Sequence, residues 1–162
     1  AWLRDAGFDL RTRKPDGEQF RFSDAHGRLR GHADGVIVGG PDGFHYPALW
    51  ENKCLGAKSW RELEAKGLAV AKPVYAAQVA LYQAHLQLHE HPALFTAINA
   101  DSMDIYVELV PFDGALAQRM TDRAVKVISA TEAGELLPRS FHEPTHFECR
   151  MCAWQDRCWR TP

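Results

Sequence analysis

Three features of the sequence predict an α/β or α+β fold around one mixed β-sheet. Strand-like alternation fills the first third, with Val36-Ile37-Val38 and Leu49-Trp50 as its most apolar pieces. Helical spacing then takes over, its longest segment opened by Pro73. Two more strand-like runs and a last helix complete the order strands, helix, strands, helix. A chain of 162 residues suits one such core.

The elements follow in order. Ala1 to Ala6 has the character of a helix already under way, ending at Gly7, and with no initial Met it suggests that an N-terminal segment has been removed. Phe8 to Thr12 is β-like. Lys14-Pro15-Asp16-Gly17 is a turn, because Pro presets φ and Gly accepts the left-handed position. Gln19 to Ser23 and Arg28 to Val38 are expected strands, separated by a turn at Asp24-Ala25-His26-Gly27. The Gly39-Gly40-Pro41-Asp42-Gly43 cluster breaks the chain before a third strand, Tyr46 to Lys53. Ser59 with Glu62 has capping-box spacing and predicts a helix ending near Gly67. The helix from Pro73 is expected to reach about His89, with Val74, Ala77, Leu81, Ala84 and Leu88 as its core face. Tyr75, Gln78, Tyr82 and His85 form a second stripe beside it. Ala93 to Asn99 and Ile105 to Val110 read as strands joined by a turn at Ala100-Asp101-Ser102. A final helix starts at Pro111 or Asp113 and runs to about Ala133. Residues 1–138 are thus a main domain and 139–162 a cysteine-rich tail.

Composition narrows the function classes. A net charge of −2 excludes a general polyanion binder, although Arg11, Arg13 and Lys14, then Arg21, Arg28 and Arg30, and Lys58, Lys66 and Lys72 cluster locally. No apolar run has the length of a membrane span and no signal peptide is visible. Three of the four cysteines, Cys149, Cys152 and Cys158, sit close together at the C-terminus. That spacing suits a metal site in a reducing compartment, so a cytoplasmic setting without membrane contact is expected.

The chemistry concentrates at Asp34, Glu51 and Lys53. In a strand, alternate residues share a face, so Asp34 would point with His32, Val36 and Val38, and Glu51 with Leu49 and Lys53. Two carboxylates suit a hard divalent ion such as Mg²⁺ or Mn²⁺, with a main-chain carbonyl near Asn52 as a further ligand. Lys53 would orient or deprotonate a water, or offset charge on a phosphate. By spacing alone the same residues also fit an exposed cross-strand ion pair. His32 lies on the Asp34 face and could touch the metal, a phosphate or a neighbouring carboxylate.

Gly31-x-x-Asp34, Glu51-x-Lys53 and Gln78-x-x-x-Tyr82 occur in that order, the last pair on one helix face. The set resembles the PD-(D/E)xK nuclease superfamily, in its RecB-like branch, over about residues 28–90. The resemblance implies an α/β restriction-endonuclease-like core, a central mixed sheet flanked by helices. It implies Asp34 and Glu51 as metal ligands, Lys53 as the catalytic lysine, and Gln78 and Tyr82 as supports for the site and the DNA backbone. Lys58, Tyr75 and Arg28 or Arg30 become candidate phosphate contacts. A deoxyribonuclease, in most such settings an exonuclease of phage or bacterial recombination or repair, is the implied activity, with DNA and a recombination or repair protein as partners. RecB-like members often carry a further site residue on an N-terminal helix, for which this chain shows no counterpart.

The tail has the pattern C-x2-C-x5-C at Cys149, Cys152 and Cys158. Two thiolates on a tight knuckle grip one metal, and a fourth ligand is needed. His146 or His142 would complete a Zn²⁺ site. The tail also resembles that of CRISPR-associated and AddB-type RecB-like nucleases, which implies a 4Fe-4S cluster whose remaining cysteine lies upstream. Cys54 abuts Lys53 but faces away from it and suits neither site. The alternative to an enzyme is a non-catalytic nucleic-acid-binding or assembly module stapled by the tail metal, which would bind DNA in a salt-sensitive way without turnover.

Overall fold

The structure, a computed structural model, describes residues 2–160. Ala1, the first residue of the expected N-terminal helix, lies outside them. The fold is α/β, with a mixed central sheet flanked by helices. Two compact units divide between Ala124 and Val125.

The first unit contains α1 (Trp2–Asp5), β1 (Leu10–Arg11), β2 (Arg21–Asp24), β3 (Leu29–His32), β4 (Gly35–Ile37) and β5 (Ala48–Leu55). It continues with α2 (Ala57–Lys66), α3 (Leu68–Ala71), α4 (Pro73–His85), β6 (Ala93–Asn99) and β7 (Ile105–Val110). Helix α5 (Gly114–Ala133) runs across the division, and α6 (Phe147–Arg150) and α7 (Gln155–Arg160) belong to the second unit.

The main sheet has the order β1-β4-β5-β6-β7, and β2 and β3 form a separate ribbon. Only β5 and β6 are parallel, with Glu51 opposite Phe95 and Lys53 opposite Ala97. A parallel pair needs a long crossover, and α2, α3 and α4 supply it. One sheet face contributes Leu49, Phe95 and Ala97 to a core with Trp60, Leu63, Leu68, Ala76 and Val79 from those helices. The other gives Leu10, Ile37 and Leu94 to a smaller core with Leu3 of α1. Each fully buried Leu or Phe contributes about 1.5–3 kcal/mol. β6 is buried along nearly its whole length because both its faces are covered.

Four local expectations are corrected. The run from Arg28 to Val38 is not one strand: the chain leaves the ribbon at His32 and enters the main sheet at Gly35, with Ala33 and Asp34 between. Alternation across that junction therefore does not decide where Asp34 points. Helix α2 starts at Ala57 rather than after Ser59, and Gly56 at its N-cap has no capping side chain. The Ala57 amide instead donates to Asp101 Oδ2 at 3.0 Å, from the turn after β6. With Gly56 as N-cap, Ser59 occupies the third helical position and Glu62 lies a turn too far along for a capping box; its carboxylate pairs instead with Lys66 and Lys72 at 3.1 and 3.2 Å. Helix α4 ends at His85, and its buried residues are Ala76, Val79, Ala80 and Gln83, whereas Val74 is 76% exposed. The helix is turned because its Tyr75 and Tyr82 side also packs on the core. The start of α5 follows the Asp113 expectation, its Oδ1 accepting from the Leu116 amide at 2.8 Å. Among the described residues no helix is long and apolar enough to cross a membrane.

The ribbon docks on α4 through one close approach. A Cβ at Gly31 would lie 2.4 Å from Tyr82 Cε1 and 2.7 Å from Phe22 Cε1. Phe22, opposite Gly31, stacks on His85 at 4.2 Å and meets Tyr82 edge-on at 5.8 Å. Gly31→Ala should overpack this contact and lower stability by about 1–3 kcal/mol in urea titration. Unchanged stability would contradict the close approach.

Candidate active site

β5 is the middle strand of the sheet, and its alternation sorts the site. Glu51 and Lys53 point to the α4 side, where the Lys53 ammonium pairs with Glu51 Oε1. Trp50 and Asn52 point to the other side. There Thr96 Oγ1 accepts from Trp50 Nε1 at 3.1 Å and donates to Asn52 Oδ1 at 2.8 Å. The Asn52 side chain is thus engaged away from the site, leaving only its main chain for a ligand role.

Asp34 joins the cluster from the junction before β4. Its Oδ2 accepts the Asn52 amide at 2.9 Å, so it caps the peptide between Glu51 and Lys53. Tyr75 lies beneath Lys53, with the ammonium 5.2 Å from its ring centroid. One turn further along α4, Gln78 Nε2 donates to Tyr82 Oη at 3.0 Å. The glycine of the first motif and the tyrosine of the third are the contacting pair described above. Two further expected residues are exposed: His32 on the ribbon and Lys58 in the first turn of α2.

The electrostatics centre on Glu51, which is 1% exposed. Burial pushes its carboxyl above the usual carboxylate range; the Lys53 hydrogen bond and charge pull it down, the Asp34 charge pushes it up, and the Asp34 main chain adds a weaker pull downward. Its Oε2 is buried and has no hydrogen-bond partner. An uncompensated oxygen on a buried carboxylate, with a second carboxylate nearby, has the chemistry of a hard-cation ligand. Among the described residues no three His, Cys, Asp or Glu side chains converge on one point. Two carboxylates could hold such an ion only together with water, main-chain or substrate oxygens.

Thr96 and Phe22 are the site's unforeseen members. Thr96 works through strand register more than forty residues away, which no local pattern reports. Phe22 is the one apolar residue of β2, between Arg21 and Ser23, a signal available from alternation.

In the second unit, Cys149 is half-buried and Cys152 and Cys158 are exposed, all as free thiols. The Trp154 amide donates to Cys152 Sγ at 3.4 Å. His146 caps α6, its Nδ1 accepting from the Glu148 amide at 3.4 Å, and its ring stacks on Phe141 at 3.8 Å. Only its Nε2 remains for another partner. Cys54 is exposed on the Asn52 side of β5.

No family model matches the chain, and no curated protein matches it. Among solved structures, the crystal structure of SSO0001 is similar to it at 17% identity and a TM-score of 0.48. The match covers 97% of this chain and 60% of that one, so the chain spans about three fifths of that protein's length.

Glu51 predicts a pH signature. A carboxyl raised in the folded state binds more protons there than when unfolded, so its contribution to stability is present at low pH and is lost as pH rises through its folded value. Glu51→Gln should therefore gain stability relative to wild type as pH rises from 4 to 8, in cation-free urea titrations. A difference independent of pH would contradict this.

Proposed function

We propose that the chain is a divalent-metal-dependent deoxyribonuclease of the RecB-like PD-(D/E)xK type, with a restriction-endonuclease-like core. The observation that carries this is the unpartnered Oε2 of buried Glu51, beside Lys53 and with Asp34 bonded to the peptide between them. A site devoted to stability gains nothing from such a group.

Asp34 and Glu51 would hold the ion. Bound there, Mg²⁺ or Mn²⁺ would neutralise phosphate charge and acidify a water. Lys53, steadied by Glu51 and Tyr75, orients the attacking water or offsets the charge that builds on the phosphorus oxygens. The Gln78–Tyr82 pair braces the α4 wall on which the DNA backbone would rest. An exonuclease acting on DNA ends in phage or bacterial recombination or repair is the setting that the motif resemblance favours.

The test is cleavage of linear single- and double-stranded DNA with Mg²⁺ or Mn²⁺. Lys53→Ala and Glu51→Ala should each lose about 10²-fold or more of the rate. Cleavage that survives both substitutions would falsify the assignment. Salt-sensitive binding with no cation-dependent cleavage by wild type would instead mark a non-catalytic module.

We propose that the tail cysteines take a structural metal, with Cys149, Cys152 and Cys158 as thiolate ligands; their side chains do not converge in the structure, so the metal would have to gather them. The C-x2-C-x5-C spacing supports this, because two thiolates on a tight knuckle grip one metal. His146 through Nε2 would complete a Zn²⁺ site, and an iron–sulfur cluster is the other occupant compatible with thiolates. Metal analysis with an absorption spectrum decides between them. A colourless protein with about one zinc per chain supports Cys3His, a brown one supports iron–sulfur, and a metal-free tail contradicts both.

A further inference from the structure

The β2–β3 ribbon has two unlike faces. Its register pairs Arg21 with His32, Phe22 with Gly31, and Ser23 with Arg30. Directly paired residues share a face. Phe22, Gly31 and the flanking Phe20 and Ala33 therefore face the core, while Arg21, Ser23, Arg30 and His32 face away, all four exposed. Every side chain of the two strands on that outer face is a hydrogen-bond donor and two are permanent cations; the carboxylate that meets it is Glu18, from the segment before β2. Arg21 is held only by Glu18 at 3.0 Å, in an ion pair about half exposed on both sides. Exposed pairs of that kind contribute little and are readily exchanged.

The inner face keeps this row of donors rigid, since Phe22 and Gly31 are clamped on Tyr82 and His85. The row also has a direction. Arg30 and His32 are about 6.7 Å apart along the strand, and two residues later the chain reaches Asp34, bonded to the peptide beside Glu51.

The geometry points to the outer face of this ribbon as a track for the phosphate backbone of one nucleic-acid strand, leading it toward Asp34 and Glu51. The inference rests on the nuclease reading for the strand's destination, but the track itself stands on the ribbon's own residues. Contacts limited to phosphates hold a strand without reading its sequence.

Fluorescein-labelled single-stranded and duplex oligonucleotides of unrelated sequence, titrated in EDTA across a salt series, provide the test. The double variant Arg21→Ala/Arg30→Ala should flatten the slope of log K against log salt by about 1.4 for single strands and about 1.8 for duplexes. The loss should be equal across sequences, Arg21→Lys/Arg30→Lys should restore most of the slope, and exposed Lys126→Ala should leave it unchanged. A loss confined to one oligonucleotide form names that form as the ligand. An unchanged slope in the double variant, or a loss limited to one sequence, overturns the track. Cation-dependent cleavage with an unchanged slope leaves the nuclease and removes the track; ribbon-dependent binding by a chain that never cuts leaves the track and removes the nuclease.

Discussion

A carboxylate buried on the central strand is the constraint around which the fold is arranged. Glu51 sits in the middle of β5, flanked by β4 and β6, under a layer of helices. Taking an ion out of water costs several kcal/mol even after relaxation, so its position has to be answered by a countercharge. Lys53 answers one oxygen. The other has no partner, and Asp34 adds a like charge nearby. A buried carboxylate with one oxygen left uncompensated adds little to stability, and this is the feature on which the metal-site proposal rests.

The rest of the site works to hold that strand in place. Thr96 fixes Asn52 from behind the sheet, and Asp34 takes the Asn52 amide from the front. Asn52 is therefore held by its side chain and by its main-chain amide, which fixes the strand between Glu51 and Lys53. Gly31 lets the Tyr82 ring approach the ribbon, and Tyr82 is hydrogen-bonded to Gln78. The three motifs are consequently joined by contact: the glycine of one touches the tyrosine of another, and the aspartate touches the strand that carries the third.

Much of this was readable locally. Turn chemistry at Lys14–Gly17 depends only on adjacent residues, and the Lys14 amide bonds Glu18 across that turn as expected. Strands β6 and β7 have the bounds that their composition suggests, since both are bracketed by strong turn residues. That Asp34 lies beside β5 follows from the antiparallel pairing of β4 with β5. Other features depend on tertiary packing. The break at Ala33–Asp34 arises because the chain changes sheets there, which β-propensity does not register. The buried face of α4 differs from the one its larger apolar residues suggest, because Ala76 and Ala80 are small enough to pack inward while Val74 is left outside. Helix α2 takes its cap from Asp101, forty-four residues away in sequence, so Ser59 and Glu62 offered a local signal that a distant partner overrode.

The central claim is that the unpartnered oxygen of Glu51, with Asp34, is a place for a divalent cation. Electron paramagnetic resonance of Mn²⁺ titrated with the protein measures this without requiring a substrate. Wild-type protein should deplete the free-ion signal with a stoichiometry of about one at this site, and Glu51→Gln should weaken that binding at least tenfold while remaining folded. Equal Mn²⁺ binding by wild type and Glu51→Gln, or none by either, would contradict the account.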